Sequence, residues 1–216
     1  MADERDAMTA EAGHDHAGHA EHYNPLAGRI GMWLFLFSEM LLFGTVFIAY
    51  AVYLSKYKLD FQLSSHELQK LVGAANTIIL LTSSLTMALS IAALARGRKR
   101  PALGLMAVTV LAALLFMGIK AYEWGHKFEI GIYPTSQTML SRPAGVQVFY
   151  GLYFTMTGLH AAHVVAGALA ILIAMRLVAK EYVHRDRIGF LVNVGLYWHL
   201  VDVIWIFLFP LFYLIG

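Results

Sequence analysis

The chain has no cysteine, and only 14% of its 216 residues are charged. Without cysteine there can be no disulfide, no Cys-ligated zinc, no iron–sulfur cluster and no c-type haem attachment within this polypeptide. A soluble domain carries about 25% charged residues, so a soluble globular class is excluded too. The net charge of +2 is too small to point to nucleic acid. Residues 1–28 contain acids and histidines but no apolar core of the kind a signal peptide needs, so the first apolar run is expected to serve as its own insertion signal. What the chain does have is apolar surface: 59% hydrophobic residues and a mean hydropathy of +0.61. These values describe an integral membrane protein, with one compact bundle as the natural domain.

Residues 1–27 read as a polar, His-rich tail that buries too little apolar area to offset ordering entropy. His14, His16, His19 and His22 suggest a metal-binding tract. Unscaffolded histidines make weak sites, so a solvated tail is the simpler expectation. Residues 28–216 form the membrane domain, an all-α bundle with five predicted spans at about 28–54, 70–95, 102–128, 145–178 and 188–215. The second span carries Asn76 and the hydroxyls of Thr82, Ser83, Ser84 and Thr86, which favour close helix approach. Residues 55–69 read as a linker, 96–101 (R-G-R-K-R-P) as a basic break, and 129–144 as the longest internal connection. The fourth span is long enough to tilt or to project beyond the bilayer. Lys and Arg are concentrated in the 96–101 and 176–187 loops. That bias predicts a cytoplasmic N-terminus and an outer C-terminus.

Polar residues inside the spans are the candidate functional groups, because ionised side chains at mid-bilayer depth are costly and must face protein or water. At about 1.5 Å per residue, Glu39, His160, His163, His199 and Asp202 fall near the middle of their spans. Glu123 falls roughly 12 Å nearer the outer face. An apolar setting favours the neutral acid of Glu39, which can donate a hydrogen bond. One reading makes Glu39 a proton-exchanging carboxyl; the other makes it a strut to a neighbouring helix through Asn76 or Ser83. His160 and His163, like His199 and Asp202, are three apart and share a helix face. Metal or haem ligation is one role for such groups. Interhelical hydrogen bonding is the commoner one, with His199 or Asp202 pairing with a fourth-span histidine. Glu123, near Lys120 and His126, reads as an interfacial ion pair or snorkelling anchor with solvent in reach. The tryptophans read as packing and interface residues rather than a quinone pocket. Arg29 and Arg96, at inner helix ends, are candidate contacts for lipid phosphate.

Five motifs in order carry a family resemblance: W-L-F-L-F-S-E-M-L-L-F at 33–43, N-T-I-I-L-L-T-S-S-L-T at 76–86, Tyr122-Glu123-Trp124, T-G-L-H-A-A-H-V-V-A-G at 157–167, and Y-W-H-L-V-D-V-I-W-I-F-L-F-P at 197–210. Together, over roughly residues 29 to 216, they closely resemble subunit III of haem-copper oxidases of the cytochrome c oxidase type, in its short five-helix bacterial form. The resemblance implies that Glu39 is the carboxyl modified by dicyclohexylcarbodiimide and that phospholipid binds in a cleft between helix groups. It also implies that haem and copper sit in partner subunits, with no metal and no catalytic residue in this chain. The expected role is a non-catalytic subunit of a proton-pumping terminal oxidase in the bacterial inner membrane, packed on catalytic subunit I and sustaining proton uptake while oxygen is reduced to water. The alternatives are an accessory subunit of a quinol oxidase or nitric-oxide reductase system, and an independent proton or solute carrier. A carrier would favour inverted repeats, and none is visible.

Overall fold

A computed structural model of the protein describes residues 25–215, so the tail histidines His14, His16, His19 and His22 lie outside the described residues. The described range is all-α, its helices joined by short connections, with no strand among the described residues. The helices are α1 (Pro25–Lys56), α2 (Lys58–His66), α3 (Lys70–Ala95), α4 (Lys99–Glu129), α5 (Gln137–Leu140), α6 (Ala144–Ala179) and α7 (Gly189–Tyr213). A single 3-10 turn, Arg185–Arg187, precedes α7. Five of these helices are long and apolar enough to cross a membrane, with mean hydropathy between 1.7 and 2.5 in their most apolar windows. A hydrocarbon core offers no partner for free backbone N–H and C=O groups, so each span must satisfy its own by forming a helix.

Three of the spans end alike. At the close of α3, Arg98 N donates to Ala93 O and Gly97 N to Leu94 O. The ends of α4 and α6 repeat the pattern, with Ile132 N donating to Lys127 O and Tyr182 N to Leu177 O. Each is a Schellman closure and needs a left-handed residue after the cap. Gly97 and Gly131 supply it at φ 73, and Glu181 does so at φ 64 without being glycine.

Spans α3, α4, α6 and α7 form the packed core. The α3–α4 hairpin is cross-tied where Thr86 Oγ1 and Thr109 Oγ1 lie 2.8 Å apart. Trp198 and Trp205 of α7 are fully buried, and their indole N–H groups donate to Ser83 Oγ (3.1 Å) and Thr77 Oγ1 (3.0 Å) of α3. Span α1 is peripheral: 11% of its most apolar window is buried, against 44% for α7.

Two connections hold structure that the sequence reading did not expect. The 55–69 linker contains α2, whose Phe61, Ser64 and Ser65 are buried. Phe61 sits edge-on to Tyr50 and Phe149, so packing on α1 and α6 holds a nine-residue helix that would be marginal alone. The 129–144 connection contains α5, capped where Ser136 Oγ accepts from Met139 N at 3.0 Å.

Candidate functional site

The polar side chains inside the bundle fall into three groups. The first is a buried cluster near the end of α4. Lys120 Nζ donates to Glu123 Oε2 (3.0 Å), to the Tyr213 hydroxyl (2.8 Å) and to the Tyr153 hydroxyl (3.2 Å). Its three N–H bonds are thereby used. Tyr153 donates to Glu123 Oε1 at 2.8 Å, and Tyr213 to the same oxygen at 2.7 Å. Lys120 also lies over the Trp205 ring, 5.0 Å from its centroid. Lys120 and Glu123 are 4% and 6% exposed. Glu123 is therefore not the solvent-reached interfacial anchor expected from sequence. Tyr153 of α6 and Tyr213 of α7 roof it over, and its ion pair is an internal one. His126 takes no part in it and faces outward, 4.0 Å from Glu129.

This cluster is neighboured by Lys127, which lies over the rings of Tyr150 and Tyr153. Beyond them Glu67 accepts from Arg142 Nη1 (2.9 Å) and from the Tyr150 hydroxyl (2.7 Å), tying the α2 end to α6. Lys127, Tyr150, Tyr153, Tyr213, Glu67 and Arg142 were not singled out from sequence. The one available signal was a set of tyrosines at 150, 153 and 213 within apolar runs, where a hydroxyl needs a partner.

The second group joins α1 to α6. His163 Nε2 and Glu39 Oε2 are 2.8 Å apart, with both side chains about 15% exposed. His163 Nδ1 lies 2.8 Å from the Leu159 carbonyl, which can only accept, so Nδ1 carries a proton. One further proton then lies between Nε2 and Glu39, as a neutral acid donating to imidazole or an imidazolium donating to carboxylate. The expected struts from Glu39 to Asn76 or Ser83 do not form. Ser83 is occupied by Trp198 and by the Leu80 carbonyl. Asn76 is fully buried, with neither amide atom hydrogen-bonded among the described residues.

The third group is dispersed. His199 Nδ1 lies 2.6 Å from Ser84 Oγ of α3, so the α7 histidine pairs with α3 and not with a histidine of α6. Both ring nitrogens of His160 are buried without a hydrogen-bond partner among the described residues, and the buried Asp202 carboxyl has the Ser84 hydroxyl within reach but no well-formed hydrogen bond. The expected pairing of His199 or Asp202 with His160 or His163 is absent because α6 presents His160 to aromatic rings, 5.2 Å from Trp205 and 5.6 Å from Phe116. His163 is meanwhile turned toward α1. Among the described residues no three of His, Asp and Glu converge on a point that could take a metal ion. Arg29 and Arg96 are both exposed, and Arg29 lines a groove of about 420 Å³ with Trp33, Gly189 and Asn193.

Fold and polar interior together define a multi-pass α-helical membrane protein whose ionisable groups are spent mainly on joining helices. A family profile described as Cytochrome c oxidase subunit III matches residues 8–216. The chain belongs to that family. Among similar proteins, the cytochrome bo(3) ubiquinol oxidase subunit 3 of Pseudomonas aeruginosa is 30% identical over 95% of this chain and 92% of its own length. The corresponding subunit of Pseudomonas putida is 31% identical over 87% of this chain and 85% of its own. A probable quinol oxidase subunit 3 of Staphylococcus saprophyticus is 29% identical over 87% and 89%. Membership of the family makes this chain one subunit of a larger oxidase assembly.

Proposed function

We propose that the chain is the accessory subunit III of a quinol-oxidising haem-copper terminal oxidase. The observation that carries this is near full-length similarity to three proteins named as subunit 3 of ubiquinol or quinol oxidases. It favours the quinol alternative over the cytochrome c donor, which rests on the family's description alone. In this reading haem and copper belong to partner chains, and catalytic subunit I is the neighbour against which the chain packs. The dispersal of His160, His163, His199 and Asp202 onto separate surroundings supports a scaffold role. Bound phospholipid and support of proton uptake remain part of the proposal, with Glu39 and His163 holding a proton between them at the α1–α6 contact. The basic loops at 96–101 and 176–187 support a cytoplasmic N-terminus in a bacterial inner membrane.

The test is gentle detergent extraction, identification of co-purifying chains, a haem spectrum, and oxygen uptake with ubiquinol and with reduced cytochrome c. Ubiquinol-driven uptake by a haem-containing complex is expected. Uptake with cytochrome c alone would restore the other donor, and a chain that purifies without haem-bearing partners would overturn both.

A further inference from the structure

A cavity of about 240 Å³ opens at the end of the bundle where α3 begins and α4 ends, its wall including Glu67, Gln69, Tyr122, His126, Lys127 and Ile130. Lys120 and Arg142 make direct ion pairs with Glu123 and Glu67, which also accept from tyrosine hydroxyls. Lys127 is attracted by the same two carboxylates only through space, without a direct bond to either among the described residues. Lys127 is 6% exposed, lines the cavity, lies over two tyrosine rings, and makes no hydrogen bond or ion pair among the described residues.

A buried ammonium without a hydrogen-bonding counter-ion is costly, and the same low-dielectric setting makes it a strong anion donor. The flank of the cavity indicates which anion. Tyr122 is 74% exposed and Ile130 49%, and both line the cavity, an apolar and aromatic rim at the end of a membrane span. Aromatic rims of this kind sit at headgroup depth, where the abundant anion is a phosphate group. We infer that this cavity is a phosphate-binding site, with Lys127 Nζ as the charged donor and the amide of Gln69 and the ring of His126 at its wall. A phosphodiester headgroup would lay its acyl chains along Tyr122 and Ile130. Free phosphate would use the same donor. The site is separate from the Arg29 groove, which lies at the opposite end of the bundle, and the inference does not depend on the electron donor of the complex.

The test uses the full-length chain with whatever partners it retains, labelled with ¹⁵N at lysine Nζ. It is stripped of lipid and titrated separately with dihexanoylphosphatidylglycerol and with inorganic phosphate. One equivalent of phosphorus in dipolar contact with a lysine Nζ is expected. Lys127→Gln should weaken binding by at least about tenfold, as loss of a charge-assisted hydrogen bond does, while Lys127→Arg retains it. Saturation by the short-chain lipid alone assigns a headgroup, and saturation by phosphate alone assigns the free ion. Absence of any lysine–phosphorus contact in the wild-type protein overturns the inference, whether or not Lys127→Gln folds. So does binding by Lys127→Gln equal to wild type. A lysine contact to a carboxylate of another chain in place of phosphorus also overturns it.

Discussion

Replacing Lys120 with methionine isolates the energetics of the bundle's interior. The side chain is 4% exposed, and all three of its N–H bonds reach Glu123, Tyr153 and Tyr213. Methionine nearly matches its length but leaves the Glu123 carboxylate in a low-dielectric site with two tyrosine donors and only Lys127, which makes no direct bond to it, as counter-charge. Removing one partner of a buried pair destabilises by about 3–5 kcal/mol. For a chain of this size each kcal/mol shifts the melting temperature by about 2–4 °C, so a fall of roughly 6–20 °C is expected. The double variant Lys120→Met with Glu123→Leu removes both charges and should recover more than half of that loss, since buried pairs contribute little beyond an apolar pair of like volume. Thermal unfolding of the purified protein in detergent, followed by tryptophan fluorescence because Trp205 lies over Lys120, reads both. A Lys120→Met variant within about 1 kcal/mol of wild type would refute the reasoning, because it would mean that water already screens the pair.

Four further outcomes are expected. Asp202→Asn should assemble normally and be little changed in stability, since the carboxyl makes no ion pair among the described residues and its one polar neighbour, the Ser84 hydroxyl, can meet an amide as well; failure of assembly would show that Asp202 meets a cation of another subunit. Gly167→Val should destabilise by about 1–3 kcal/mol, because even a Cβ there would stand 2.8 Å from the Trp198 ring, whereas Gly118→Ala, with open space around it, should be neutral or slightly stabilising in the same melting assay. The Glu181 carboxyl accepts from Lys99 at 2.9 Å and is held below the ordinary carboxylate range by that bond. A lowered acid contributes at neutral pH and loses its contribution as pH falls through the folded value. The protection factors of the 180–184 amides, taken against the intrinsic exchange rate at each pH, should therefore be flat above roughly pH 4.5 and fall only below it. Dicyclohexylcarbodiimide should label Glu39 and spare Glu123, and Glu39→Gln should abolish labelling as read by peptide mass analysis; equal labelling of Glu123 would contradict its enclosure by tyrosines.

The five spans were legible because a bilayer demands the one signal that sequence displays best, a long apolar run with polar breaks. The midplane polar residues were legible for the same reason, since a charge in such a run stands out. Their partners were not. Glu39 could be placed at mid-depth but not assigned to His163, because depth along a helix says nothing of rotation about it when apolar residues surround the helix on every side. Helix α2 was missed because its apolar residues, Leu59, Phe61 and Leu63, alternate rather than follow a helical period; only Phe61 of the three is buried, and it is Tyr50 and Phe149 from elsewhere in the chain that bury it. Tyr153 and Tyr213 look like ordinary aromatics in sequence. Only the approach of α6 and α7 to α4 turns their hydroxyls into the donors that enclose Glu123.

The weak burial of α1 gives the Glu39–His163 pair a meaning that neither residue has alone. Lipid tails are as apolar as leucine, so no hydrophobic force drives one membrane helix onto another; packing and polar contacts must do it. For α7, with 44% of its apolar window buried, packing suffices. For α1, at 11%, little packing is available. Its contacts with the core reduce to a few. The Tyr50 hydroxyl donates to the Leu211 carbonyl at one end. Phe35 meets Tyr197 toward the other. Between them Glu39 meets His163, with Phe43 against the same imidazole at 5.1 Å. Polar contacts of this kind average about 0.6 kcal/mol each and reach about 1.7 at most. That is too small to hold a helix by mass action but sufficient to choose one rotation of α1 over its neighbours, each of which would turn the Glu39 carboxyl into hydrocarbon. The pair thus acts as a register pin on an otherwise featureless cylinder, and the rest of the α1 surface is left uncommitted for lipid or for another chain of the assembly.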